Sequence, residues 1–106
     1  MVRDLLDTTD DLVGILILGG GISGVLRALR QTPADRRANI RLICRDSGPE
    51  TRKGLSQGLI TAALCHPLET TSAVLVQTMI DAIGQDAPSA TLHQTIPFEI
   101  VTPENV

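Results

Sequence analysis

Gly19, Gly21 and Gly24 close the run "ILILGGGISG" with GxGxxG spacing, and Asp46 follows 22 positions after the last of them. In a strand-turn-helix unit these four residues would bring main-chain amides to a pyrophosphate and a carboxylate to a ribose hydroxyl. The same glycines also serve a tight strand-to-helix turn that needs positive φ angles and a helix lying close on its sheet. Spacing alone leaves both readings open, a nucleotide-binding module or Rossmann-type enzyme on one side and a structural turn on the other.

Other chemistry-bearing residues are sparse. Cys44 and Cys65 sit in apolar runs with no CxxC and no Cys/His ligand spacing, so free thiols of a reducing compartment are expected and no metal site. Ser72, His66 and Asp81 hold the letters of a hydrolytic triad. Ser72 and Asp81, however, lie nine positions apart on one expected helix and face different ways, so no nucleophile-base pair follows and no enzyme is expected. Arg45 and His66 could donate to a ligand hydroxyl or carboxylate, against the plainer readings of a solvated charge and a helix-cap or packing group. His93 reads as surface.

The chain must build its core from aliphatic side chains, since 42% of its 106 residues are hydrophobic but Phe98 is its one aromatic residue. That length is one domain or part of one. The formal charge is −3 with acids and bases interspersed, which offers no electrostatic footprint for a nucleic-acid backbone. "MVRDLLDTTDDL" is too acidic and interrupted for a signal peptide, and no apolar run reaches the roughly 18 residues of a membrane span. No membrane association is expected.

Elements to position these residues alternate. "LVGILIL" (12–18) reads as a central strand buried on both faces, followed by a helix carrying Ile22, Val25, Leu26 and Leu29 on one side. "QTPADRRAN" reads as a loop. A second strand spans 39–46, with Ile40, Leu42 and Cys44 on one face. A helix over 49–57 starts on Pro49, with Glu50 at the positive end of its dipole, and stops at Gly58. A third strand spans 59–65. A long helix after Pro67, apolar at Leu68, Leu75, Val76, Met79, Ile80 and Ile83, ends at Gly84. "QDAPSA" reads as a surface loop, and "TLHQTIPFEIVT" as an edge strand limited by Pro97. The order β-α-β-α-β-α-β predicts an α/β fold with a parallel sheet and helices on both faces. Its ligand crevice belongs at the strands' carboxyl ends, here 18–23, 45–49 and 65–67.

In one register, "DLVGILILGGGISGVLRALRQ", a strand ending in Asp46, "ETRKGLSQGLITAALCHPLETTSAVLVQTMIDAIGQ" and the closing "VTPENV" resemble the C-terminal lobe of the effector-binding domain of LacI-type transcriptional regulators, itself similar to type I periplasmic sugar-binding proteins. The resemblance implies one α/β lobe of a longer regulator, residues 1–106, without its first lobe or its DNA-binding segment. Residues Leu5 to Asp7 would be the tail of a longer helix. A sugar-like effector would bind between two lobes, with no cofactor, and DNA would be held only through a helix-turn-helix absent from this chain. A cytoplasmic homodimer follows, with 49–57 and 59–65 as candidate contact elements. A lobe of a periplasmic sugar receptor is the neighbouring alternative.

Among site residues, the resemblance makes Asp46 the sugar-contacting acid, a role a two-oxygen acceptor suits; the plainer reading is an Asp that caps the turn into "SGPETR". Leu18 and Gly19 stand where relatives often carry Asn and Asp, and Cys65 where they often carry Gln. The effector would then meet main-chain amides of Gly19, Gly20 and Gly21, with Arg45, Cys65 and His66 around it.

Overall fold

In the computed structural model, residues 1–85 and 91–106 are described. Four strands, β1 (Gly14–Ile17), β2 (Arg41–Arg45), β3 (Ala62–Cys65) and β4 (Glu99–Val101), form one sheet in the order β1-β2-β3-β4. β1 and β2 run parallel, as do β2 and β3. Among the described residues five helices accompany them: α1 (Val2–Thr8), α2 (Ile22–Gln31), α3 (Ala34–Arg37), α4 (Pro49–Ser56) and α5 (Leu68–Ile83). The chain divides into two compact units, residues 1–65 with 100–106, and residues 66–99.

The core of the first unit follows from alternation. Leu42 and Cys44 of β2 point to one side, in register with Ile15 and Ile17 of β1, and Cys44 is also in register with Ala63 of β3. Over this face lie Leu6 of α1, Val25, Leu26 and Leu29 of α2 and Leu55 of α4, with Ile60 buried among them. The α2 residues recur at intervals of three and four, as a helix seated on a sheet requires. Gly54 lets α4 approach: a Cβ there would stand 2.7 Å from Ile60 Cδ1 and 3.2 Å from Leu26 Cδ2.

Several boundaries differ from the sequence expectation. α3 is an additional element, and α1 contains the helix tail expected at Leu5 to Asp7. The stretch read as a loop contains a helical turn because Pro33 opens it, with the Arg37 amide donating to the Pro33 carbonyl at 2.9 Å, and because Asp35 and Arg36-Arg37 occupy the ends its dipole favours. β3 begins only at Ala62, since the amides of Leu59 and Ile60 both donate to the Gly54 carbonyl, at 2.9 and 3.2 Å, before Thr61 turns to β2. Gly58 stops α4 as expected, with φ of 69°. β4 is three residues long and lies at a sheet edge, following Pro97. Of the expected surface loop, residues 86–90 fall outside the described residues.

Two differences are larger. β1 is an edge strand rather than a central one, and its outward residue Leu16 is 60% exposed. The apolar run marked a strand fit for burial on both sides, but among the described residues β1 pairs with β2 alone. In the second unit, α5 has no buried residue and exposes its whole predicted strip, while Thr71, Val74 and Thr78 are its half-buried positions. Among the described residues no helix is long and apolar enough to cross a membrane.

Candidate ligand site at the strand carboxyl ends

β1, β2 and β3 end side by side. Ile17 pairs with Cys44 and Arg45 with Leu64, so parallel register carries Gly19, Asp46 and Cys65 to one end of the sheet. The Cys65 thiol donates to the Asp46 main-chain carbonyl at 3.1 Å. Arg45 is exposed, with its backbone in β2.

Asp46 organises the turn into α4. Its Oδ2 accepts the Gly48 amide at 3.1 Å and also the hydroxyl of Thr51, which is fully buried. This is the turn-capping geometry, and it consumes two of the roughly four lone-pair sites of a carboxylate. Thr51 was missed by the sequence reading; its only signal was a hydroxyl residue five positions after Asp46. Cys44, under the same turn, is buried, and burial pushes its thiol above the usual value of 9.0. The Thr51 hydrogen bond opposes that shift, and the charges of Asp46 and Cys65 add to it. A thiol kept protonated is a packing group rather than a nucleophile.

The glycine turn is bare. A Cβ at Gly19, Gly20, Gly21 or Gly24 would meet nothing within 4 Å, and Gly21 alone of the four has positive φ, 99°, where it caps α2. The third glycine of a dinucleotide fingerprint exists to let helix and strand approach closely. Gly24 performs no such function here, nor does it give the close packing of the purely structural reading. Gly24→Ala should therefore raise stability by about 0.5–1 kcal/mol through helix propensity, measured as an increased urea midpoint.

His66 lies in the second unit, where Nδ1 is 3.2 Å from the Pro97 carbonyl oxygen and the ring meets Phe98 edge-on at 6.4 Å. Ser72 and Asp81 are both on α5, and Asp81 accepts a hydrogen bond from Gln77 at 2.9 Å. Among the described residues no group of three His, Cys, Asp or Glu side chains is placed to hold a metal.

No protein-family profile matches the chain, and no curated protein matches it in sequence. Solved structures do match. GanP, a glucose-galactose binding protein from Geobacillus stearothermophilus, superposes with a TM-score of 0.75 at 20% identity, over 99% of this chain and 36% of its own. A chain of the XylFII-LytSN complex gives 0.75 at 18%, over 99% and 36%, and the XylFII molecule 0.71 at 17%, over 95% and 35%. The fold is periplasmic-binding-protein-like. At these identities the likeness is one of fold, and the chain spans about a third of the length of each neighbour. The α/β architecture with a parallel sheet read from the sequence is the one observed.

Elements 49–57 and 59–65, expected to contribute apolar contacts to a dimer, do not display them. Leu55, Ile60 and Ala63 are buried, and the exposed residues of α4 are Pro49, Glu50, Arg52, Lys53 and Ser56. Exposed apolar side chains lie instead on α5 and around β1.

Proposed function

We propose that this chain is the effector-sensing lobe of a LacI-like regulator that binds a sugar at the carboxyl ends of β1, β2 and β3. The supporting observation is the fold shared with a glucose-galactose binding protein over 99% of the chain. In this reading Asp46 uses its remaining lone pairs to accept sugar hydroxyls, and the amides of Gly19, Gly20 and Gly21 supply donors that side chains supply elsewhere. Arg45 and Cys65 complete the contacts.

A chain about a third as long as its neighbours provides one wall of such a cleft. The second wall, and the helix-turn-helix that would hold DNA in a cytoplasmic dimer, belong to further polypeptide. Sugar would act by favouring one arrangement of the two lobes, which requires different affinity for each arrangement. A solute receptor would use the same lobe; a helix-turn-helix in the upstream reading frame marks the regulator, a signal peptide the receptor.

The test is amide-shift perturbation with glucose, galactose, NAD and NADP. Millimolar sugar should move the amides of Gly19–Gly21, Asp46 and Cys65, and Asp46→Asn, which keeps a carbonyl acceptor for Gly48 and Thr51, should abolish the shifts while the fold persists. Micromolar NAD or NADP binding lost in Gly21→Val, with no response to sugar, would overturn the reading in favour of a nucleotide-binding module.

A further inference from the structure

The carboxylate of Asp46 is used unevenly. Both donors of the turn fall on one oxygen: Oδ2 accepts the Gly48 amide at 3.1 Å and also the hydroxyl of Thr51. A carboxylate oxygen has two lone pairs, so these bonds fill Oδ2. Among the described residues no donor is placed on Oδ1, and Asp46 is half-buried, with part of its surface in water. The glycine at 48 keeps that surface uncovered, because a Cβ there would stand 3.2 Å from Oδ2 and 3.7 Å from Oδ1.

The group is also held still. Thr51 is fully buried on α4, so its hydroxyl cannot follow a rotating carboxylate. On the other side, the Cys65 thiol fixes the backbone of the same residue by donating to the Asp46 carbonyl at 3.1 Å. Any rotation that turned both carboxylate oxygens toward a ligand would break the two bonds at Oδ2 and orphan a buried donor.

We infer that Thr51 is a positioning residue that makes Asp46 read one sugar hydroxyl, through Oδ1 alone, where an open carboxylate would straddle a vicinal pair. The inference rests on the sugar-binding reading of Asp46 and narrows it. Adjacent ring hydroxyls can engage the two oxygens of an unoccupied carboxylate in parallel, as a guanidinium fork does. With Oδ2 filled, that two-point contact is closed, and selectivity at Asp46 depends on a single hydroxyl of the ligand. The same asymmetry explains why Asp46→Asn should abolish binding while the turn persists. Its carbonyl goes to Gly48 and Thr51, and its NH2 replaces the acceptor that faces the ligand by a donor.

Nuclear magnetic resonance of the labelled chain tests this, with glucose, galactose and each of their monodeoxy derivatives as probes, in the wild type, Thr51→Val and Thr51→Ser. Removal of one particular hydroxyl should weaken binding to the wild type by about tenfold or more, and removal of either neighbouring hydroxyl by less than about threefold. Without ligand, the Asp46 Hα–Hβ couplings of the wild type should report a single rotamer. Thr51→Val, which keeps the shape but removes the hydroxyl, should average those couplings and spread the loss over two adjacent hydroxyls. Thr51→Ser should behave as the wild type. Equal dependence of the wild type on two adjacent hydroxyls overturns the inference, and that arm requires no variant to fold. So do averaged Asp46 couplings in the wild type, or a Thr51→Val chain that keeps both the single rotamer and the wild-type selectivity. In each of these results the chain still binds sugar and the inference alone fails; no response to any sugar overturns the sugar-binding reading itself.

Discussion

Gly54→Val should lower stability by about 2–3 kcal/mol, in the range of a well-packed core forced to accept extra carbon. Even the first added atom, a Cβ, would stand 2.7 Å from Ile60 Cδ1, 3.1 Å from Ile60 Cγ1 and 3.2 Å from Leu26 Cδ2. Ile60 and Leu26 are both fully buried, so neither can retreat without moving its own neighbours. The Gly54 carbonyl adds a second constraint, because it holds the Leu59 and Ile60 amides that carry the chain from α4 toward β3. Pushing α4 off the sheet therefore disturbs the entry to β3 as well. Urea unfolding monitored by circular dichroism checks the prediction, with Gly24→Ala as the contrasting helical glycine.

Asp46→Ala should cost about 2 kcal/mol even without ligand, and Asp46→Asn less than half of that. Alanine leaves the hydroxyl of fully buried Thr51 and the Gly48 amide without the acceptor that joins them. An orphaned buried donor costs about 1–3 kcal/mol, more than a typical hydrogen bond contributes in net terms. Asparagine retains one oxygen at the same place. The pair of variants separates the two functions assigned to this side chain: loss of the turn registers in unfolding midpoints, and loss of sugar contact registers in ligand titration of a folded Asn variant. Equal destabilisation by Ala and Asn would show that the turn depends on charge rather than on an acceptor.

Much of the fold was readable because the relevant forces are local or periodic. Val25, Leu26 and Leu29 recur at helical spacing and are buried; Leu42 and Cys44 alternate with Ile43 and face the core. Pro49 and Gly58 bracket α4 for conformational reasons that need no distant partner. α3 escaped notice because one turn offers too few positions for a period to emerge, and proline suggests a loop as readily as a helix start. Asp46 was legible as a residue at the end of β2, but its engagement with Thr51 depends on how α4 turns back, which spacing does not specify.

The sequence by itself determined where the longer strands and helices lie, that they alternate, and that their apolar faces exist. Tertiary structure alone decided what covers those faces. Gly54 is indispensable because Ile60 and Leu26 converge on it, whereas Gly24, in a more suggestive motif, faces open space. β1 and α5 have the composition of buried elements yet expose Leu16, Leu75, Val76, Met79 and Ile80. A hydrophobic pattern records that a surface favours leaving water; the identity of the neighbour that excludes the water is a property of the packed arrangement, and no period in one chain encodes it.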